Sequence, residues 1–388
     1  MSREPPHSLG RTFAENVKMS EFKVNENLTI TLDEGIFGLW NLETGEQYEI
    51  FDRRYLDRIF ELNESIGMPY TSKPEDEILI EAGILLIGEK AEQHQKIQKS
   101  NGPWGWDLVS KIFHLGSKHN FPNDLANTEE NKETGYVSFC ESIAESAPNL
   151  DIEREGELVK LPPWNSNVID SYSLKKALWE RITSRNFNGE PVPLEIVSNI
   201  LFTTFGKVHG DSHKKNLAER GVLTVGYRRS SPSAGCLQAT EAYLVALNIS
   251  NLERGIYHYR SHQHVLTKLD SGINADLSQI LCHQSFAVDA GFLIVMSSRF
   301  DKLWWKYPHS RAYRSALMDV GHLSQTFNLV ATAHNLNTWL TGYFIDDLLN
   351  KLIKIDGFKE HSLFVLAGGH GLQDPLSPGV VKLLKATT

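Results

Sequence analysis

Lys306-Tyr307-Pro308-His309-Ser310-Arg311-Ala312-Tyr313-Arg314 gathers proton-transfer groups and cations into one short stretch. A lysine becomes a usable base when burial lowers its pKa, and a phenol can relay a proton or polarise a ring nitrogen. The stretch runs into Ala316, Val320, Leu323, Phe327 and Val330. Spacings of four, three, four and three place these side chains on one face, which predicts a helix continuing to about Asn335. Charged groups at the mouth of a buried helix are costly to desolvate without partners, and functional sites are often found in such places. The alternative reading is a solvated helix start decorated by cations.

Three further stretches carry chemistry. Arg181-Ile182-Thr183-Ser184-Arg185-Asn186-Phe187 sets two arginines four apart with hydroxyls between them, which can surround one phosphate; it can equally be a solvated helix end. Ser231, Pro232, Ser233, Ala234 and Gly235 form a small-residue loop that lets a flat ligand approach the main chain, or an ordinary turn before a strand. Thr341-Gly342 supplies a second small-residue crossing.

The elements that must position these residues follow from pattern. Leu28 to Leu32, Ile36 to Leu42 and Gln47 to Phe51 read as strands separated by Asp33-Glu34-Gly35 and Glu43-Thr44-Gly45. A helix after Asp52, a second over Pro74 to Ala82 and a strand at Ile84 to Ile87 complete a small winged-helix-like module. Glu75, Asp76, Glu77 and Glu81 on its second helix disfavour DNA as a partner, whereas peptide binding at a strand edge needs no positive charge. Asn123 to Thr134 reads as an exposed loop, followed by a helix from about Val137 to Glu145. Pro162 and Pro163 mark a linker over 151–168. Beyond it, helices over Leu174 to Arg181, Pro193 to Phe205, Asp276 to Cys282 and Asp346 to Ile353 are expected. They alternate with strands at Ala242 to Ile249, Gly255 to Tyr259, Gly291 to Ser298 and Leu363 to Ala367. The order indicates an α+β or α/β sheet domain.

The 388 residues allow two or three domains, and 41% apolar residues suffice for ordinary cores. A formal charge of -9 argues against a general polyanion-binding surface. Cys140, Cys236 and Cys282 form no metal-ligand spacing and no disulfide scaffold, so no metal is expected and a reducing, cytoplasmic setting fits. The apolar runs are too short to span a bilayer.

In their order along the chain, the segments from about 170 to 372 resemble the SagB-type or McbC-like azoline dehydrogenases of the FMN-dependent nitroreductase superfamily, which mature ribosomally made peptides. Arg181, Thr183, Arg185 and Phe187 match the arginine-rich opening, and Pro232 to Gly235 followed by Glu241 and Tyr243 match the PSAG loop and its strand. Gly255-Ile256-Tyr257-His258-Tyr259, the Lys306-Tyr307 pair, Tyr313-Arg314 and a helix carrying Gly321, His322 and Gln325 complete the match. Cys236, Leu237, Gln238 and Ala239 stand where the family has Gly-Leu-His-Pro, Asp319 stands where a glutamate is usual, and Ile182 replaces a second arginine.

The resemblance implies an α+β, nitroreductase-like sheet flanked by helices over 169–388. It is preceded by a flexible segment at 1–25 and a smaller winged-helix-like, peptide-clamping domain over 26–150. It implies FMN at the interface of a homodimer, with the long helix between subunits. Arg181, Thr183 and Arg185 would hold the phosphate; Ser231, Pro232, Ser233, Ala234, Gly235, Gln325, Thr341 and Gly342 would complete the cofactor site. Lys306 and Tyr307 would be the catalytic pair, with Arg311 and Gln238 touching substrate. The expected reaction oxidises a thiazoline or oxazoline of a precursor peptide to the aromatic ring, with hydride to FMN N5, reoxidation by dioxygen and a cyclodehydratase as a further partner. A nicotinamide-driven reductase of nitro, quinone or dehydroamino-acid substrates, and a flavin-free peptide-binding scaffold, are the competing readings.

Overall fold

The computed structural model describes residues 22–386 apart from Gly67, residues 102–103, residues 119–128 and Gln373. The flexible start expected for 1–25 therefore lies, up to residue 21, outside the described residues. The chain divides into two compact units, Met1–Asn123 and Asp124–Thr388.

In the first unit, Leu28–Asp33, Ile36–Asn41 and Glu46–Ile50 form an antiparallel three-stranded sheet. Glu34 and Gly35 both take positive φ, 47° and 83°, as a two-residue hairpin turn requires. Helix Arg53–Glu64 begins where the Asp52 carboxylate accepts from the Arg54 N–H at 2.9 Å. Helix Asp76–Glu81 follows, and strand Leu85–Ile87 pairs with Phe22–Val24 rather than with the three-stranded sheet. Leu39, Ile59, Leu62, Leu79, Ile84 and Leu85 form the core. Beside it, buried Arg58 grips buried Asp76 through Nε–Oδ1 and Nη2–Oδ2 contacts of 2.7 Å each.

The second unit is built on seven antiparallel strands. Across the sheet they run Asn337–Thr341, Glu360–Gly369, Phe292–Arg299, Thr240–Ala246, Gly255–Arg260, Val265–Asp270 and Glu157–Lys160. Thr240–Ala246 and Phe292–Arg299 are buried on both faces, which is why they read as continuous apolar runs rather than alternating ones. Ala242, Leu244 and Ala246 face a core shared with helix Leu194–Phe205 and with Val320, Leu323 and Phe327 of helix Ala312–Ala333. Tyr243 and Val245 face the opposite core, closed by Leu277, Ile280 and Leu349. The five residues that predicted the long helix, Ala316, Val320, Leu323, Phe327 and Val330, are all buried. Burial of a full-sized apolar side chain contributes about 1.5–3 kcal/mol, so this stripe fixes the helix against the sheet.

Two expectations are corrected. The 151–168 segment is integral to the second unit: Glu157–Lys160 pairs with Val265–Lys268, and the Pro162 carbonyl accepts from Ser198 Oγ at 2.6 Å. The prolines follow an edge strand instead of marking a linker, and the division falls earlier, at 123/124. The loop expected over Asn123 to Thr134 lies outside the described residues up to 128, and from Glu129 a helix runs to Ile143. Its polar opening Glu129-Glu130-Asn131-Lys132-Glu133 has no apolar period, so pattern alone conceals it.

Candidate active site

Lys306 is the last residue of helix Phe300–Lys306, and Tyr307 follows it as the chain turns toward the long helix. Only 2% of Lys306 is exposed, and its Nζ donates to the Gly235 carbonyl at 3.3 Å. The small-residue loop therefore meets the lysine directly. Gly235 sits at φ +57, and a Cβ built there would stand 2.5 Å from Tyr307 Oη and 3.2 Å from Lys306 Cδ. Only glycine leaves room for both side chains.

The loop is anchored on the long helix. Ser231 Oγ and Thr326 Oγ1 are 2.7 Å apart, and the Ala234 N–H donates to both Asp319 carboxylate oxygens at 3.3 Å. Ser233 Oγ accepts from the Gln238 N–H at 3.0 Å, closing the turn on itself. Cys236 and Gln238 take φ of 55° and 46°. A left-handed conformation at a residue with a Cβ costs about 1–2 kcal/mol, and strain of this kind is concentrated at ligand clamps and catalytic loops. The loop that carries the expected site residues Ser231, Pro232, Ser233, Ala234 and Gly235 thus meets the middle of the long helix at Asp319 and Thr326, and Lys306 and Tyr307 at Gly235.

Burial pushes the Lys306 amine below the ordinary lysine range, opposed by Cys140 and Cys236 nearby. Burial pushes the Tyr307 phenol up, reinforced by the same cysteines and Asp319. Asp319 is raised by burial and pulled back by hydrogen bonds from Ser233 and Ala234. Beyond Tyr307 opens a cavity of about 600 Å³ walled by Phe300, Trp304, Tyr307, Pro308, Tyr313 and Phe358.

A second group of expected residues lies elsewhere on the unit. Past helix Leu174–Glu180 the chain is extended: Thr183 bridges Thr338 in parallel, the Ser184 N–H donates to the Thr338 carbonyl at 2.8 Å, and the Arg185 N–H donates to the Pro375 carbonyl at 2.8 Å. Alternation in an extended chain puts Arg181, Thr183 and Arg185 on one side, with Arg181 Nη1 donating to Thr183 Oγ1 at 3.4 Å. Arg181 caps the end of that helix, its N–H donating to the Ala177 carbonyl at 3.1 Å, and Arg185 is exposed in the extended chain beyond it. Thr341 and Gly342 end the same supporting strand, where Thr341 Oγ1 accepts from the Tyr343 N–H at 2.9 Å. Gln325 and Arg311 are exposed on the long helix and just before it, whereas Gln238 is buried.

Sequence reasoning missed Tyr136 and Cys140. Helix Glu129–Ile143 carries both, and the Tyr136 ring centroid lies 5.9 Å from Lys306 Nζ. Burial and a hydrogen bond with Cys140 raise the Tyr136 phenol. Their four-residue spacing, which puts two side chains on one helix face, was the available signal.

Residues 178–370 match the Nitroreductase family model. MJ1384 of Methanocaldococcus jannaschii, named as a nitroreductase, is 27% identical over 206 residues, covering 53% of this chain and 94% of that protein. The trifolitoxin-processing protein TfxB of Rhizobium leguminosarum bv. trifolii is 24% identical over 303 residues, covering 74% of this chain and 76% of that protein. Among solved structures, the E. coli microcin synthetase McbBCD complex with truncated pro-MccB17 bound aligns with a TM-score of 0.41 and 20% identity over 68% of this chain and 92% of that one. Over residues 178–370 this chain is a nitroreductase family domain, the fold of an oxidoreductase family, in which a large antiparallel sheet is flanked by helices.

Proposed function

We propose that this protein is an FMN-dependent dehydrogenase that oxidises thiazoline or oxazoline rings of a precursor peptide to thiazoles or oxazoles. The observation that carries this reading is the meeting of Lys306 and Tyr307 with Gly235 of the small-residue turn, which gathers a buried amine, a phenol and a strained loop in one place. The similarity to a trifolitoxin-processing protein supports a peptide substrate.

The donor set suits FMN: the small-residue turn Ser231 to Gly235 for the ring, and Arg181, Thr183 and Arg185 for the phosphate. When bound, FMN supplies the hydride acceptor that side chains lack, with dioxygen as final oxidant. Lys306 takes the ring proton, because burial lowers its pKa toward neutrality while the same burial keeps the Tyr307 phenol protonated. Tyr307 then donates a hydrogen bond to the ring nitrogen. The aromatic cavity beyond Tyr307 receives the peptide flanking the ring.

The loop and the arginine segment are held by different parts of one chain, and a homodimer would bring a loop and an arginine segment from two chains into one site. The long helix offers exposed Leu317 and Met318 for that contact, and exposed Trp179 lies on the helix ahead of Arg181. The first unit is the candidate peptide clamp, and a cyclodehydratase must act first, since the azoline has to be formed before it is oxidised. Among the described residues no helix is long and apolar enough to cross a membrane.

The same site could run in reverse as a nicotinamide-driven reductase, a reading favoured by the similarity to MJ1384. Anaerobic mixing of the FMN-loaded protein separates the two. An azoline-containing peptide should bleach the flavin and NADPH should leave it oxidised. Rapid bleaching by NADPH, with none by the peptide, would reverse the assignment.

A further inference from the structure

One turn before Lys306 on the same helix, Lys302 is 1% exposed. Side chains four apart on a helix share a face, so both lysines point into the protein. Lys302 Nζ donates to Glu241 Oε1 at 3.3 Å, and Glu241 Oε2 lies 3.2 Å from His258 Nε2. Glu241 and His258 belong to adjacent strands in the middle of the seven-stranded sheet.

The surrounding charges are themselves fixed. Arg229 donates to the carbonyls of Phe205 and Thr240, each at 2.8 Å, and Arg299 is held by Asp301. Tyr243 Oη and Ser297 Oγ both donate to Glu360 Oε1 at 2.6 Å, and Arg154 pairs with the same carboxylate. Burial pushes Glu241 up, but Lys302, His258 and Arg229 outweigh it and hold the carboxyl below its usual range. Burial pushes Lys302 down, with Glu241 opposing.

An ion pair this deep need not add net stability, because desolvation offsets its attraction, and fixing register is the better-attested use of such pairs. Helix Phe300–Lys306 needs that help: it has seven residues and no side-chain hydrogen bond at its N-cap, and isolated helices of that length do not hold themselves. We infer that Lys302 is a positioning residue for Lys306, its tie to Glu241 fixing the rotation of the short helix so that the Lys306 amine meets the Gly235 carbonyl. The inference rests on Lys306 acting as the base proposed above.

Two variants of the FMN-loaded protein test it. Lys302→Met/Glu241→Gln removes both charges at nearly constant volume, and Glu241→Asp keeps the charge but withdraws it by one methylene. The readouts are the rate at which acetic anhydride labels Lys306, followed by peptide mass, and kcat separately from KM. In both variants Lys306 labelling should rise several-fold, and kcat should fall roughly tenfold to a hundredfold with KM little changed and FMN content intact. Lys302→Arg, which keeps the charge opposite Glu241, should retain most of the wild-type kcat. Wild-type labelling and kcat in folded, FMN-containing variants would overturn the inference; if the double variant does not fold, Glu241→Asp decides. Should Lys306→Ala keep its turnover, the base assignment fails instead, and the labelling rates still report whether Lys302 positions the helix.

Discussion

Replacing Lys306 by alanine should leave the flavin bound and lower turnover by about 100- to 10,000-fold, the usual span for loss of a general base. The amine does not touch the arginine segment assigned to the phosphate, and its removal leaves the turn's own ties to Asp319 and Thr326 in place, so the flavin should be retained while the chemistry is lost. The sign of the pH dependence follows from burial. A base must be neutral, so the rate should rise as pH rises through the Lys306 pKa in the folded protein. Burial lowers that pKa, which places the rising limb on the acid side of an ordinary lysine at ~10.4. The residual activity of Lys306→Ala should lack this limb. Steady-state rates across pH, with flavin content measured in each sample, check both points.

Asp76→Ala should destabilise the first unit by about 3–5 kcal/mol, the cost of leaving one member of a buried ion pair without its partner. Asp76 accepts from Arg58 twice, from Tyr70 Oη at 2.8 Å and from the Lys73 N–H at 2.9 Å. Burial raises its pKa, but Arg58, Lys73 and Tyr70 outweigh it and hold it below the ordinary value. Its contribution is therefore complete above the unfolded pKa of ~3.9 and is lost as pH falls through the lower folded value. Amide hydrogen exchange in Leu39, Ile59 and Leu79 of the full chain should accelerate strongly in the variant at neutral pH, while exchange in the seven-stranded sheet stays as in the wild type. Unchanged protection of the first unit would remove the pair from its stability.

What the sequence disclosed follows from where periodicity and turn chemistry are unambiguous. Ala316 to Val330 spelled out a buried helical stripe, Asp52 marked a helix start, and Glu34-Gly35 marked a hairpin. Helix Phe300–Lys306 was concealed because its inward face carries Lys302 and Lys306, charges that pattern reasoning assigns to solvent. Their partners, Glu241 and the Gly235 carbonyl, are distant in sequence and come together only through the sheet. Edge strand Glu157–Lys160, with little buried surface, lacked the apolar signal of the central strands. The loop and the lysine–tyrosine pair were legible as chemistry, but their contact was not. It depends on Ala234 docking on Asp319 of the long helix.

The central claim is that a flat redox cofactor lies against the small-residue turn beside Lys306 and Tyr307. The visible spectrum of the purified protein, before and after adding FMN, tests it most directly when the released small molecule is also identified by mass. The account predicts flavin absorbance, a released mass equal to FMN, and loss of binding in Gly235→Ala, whose new methyl collides with Tyr307 Oη. A folded wild-type protein that shows no flavin bands and takes up no added FMN contradicts it.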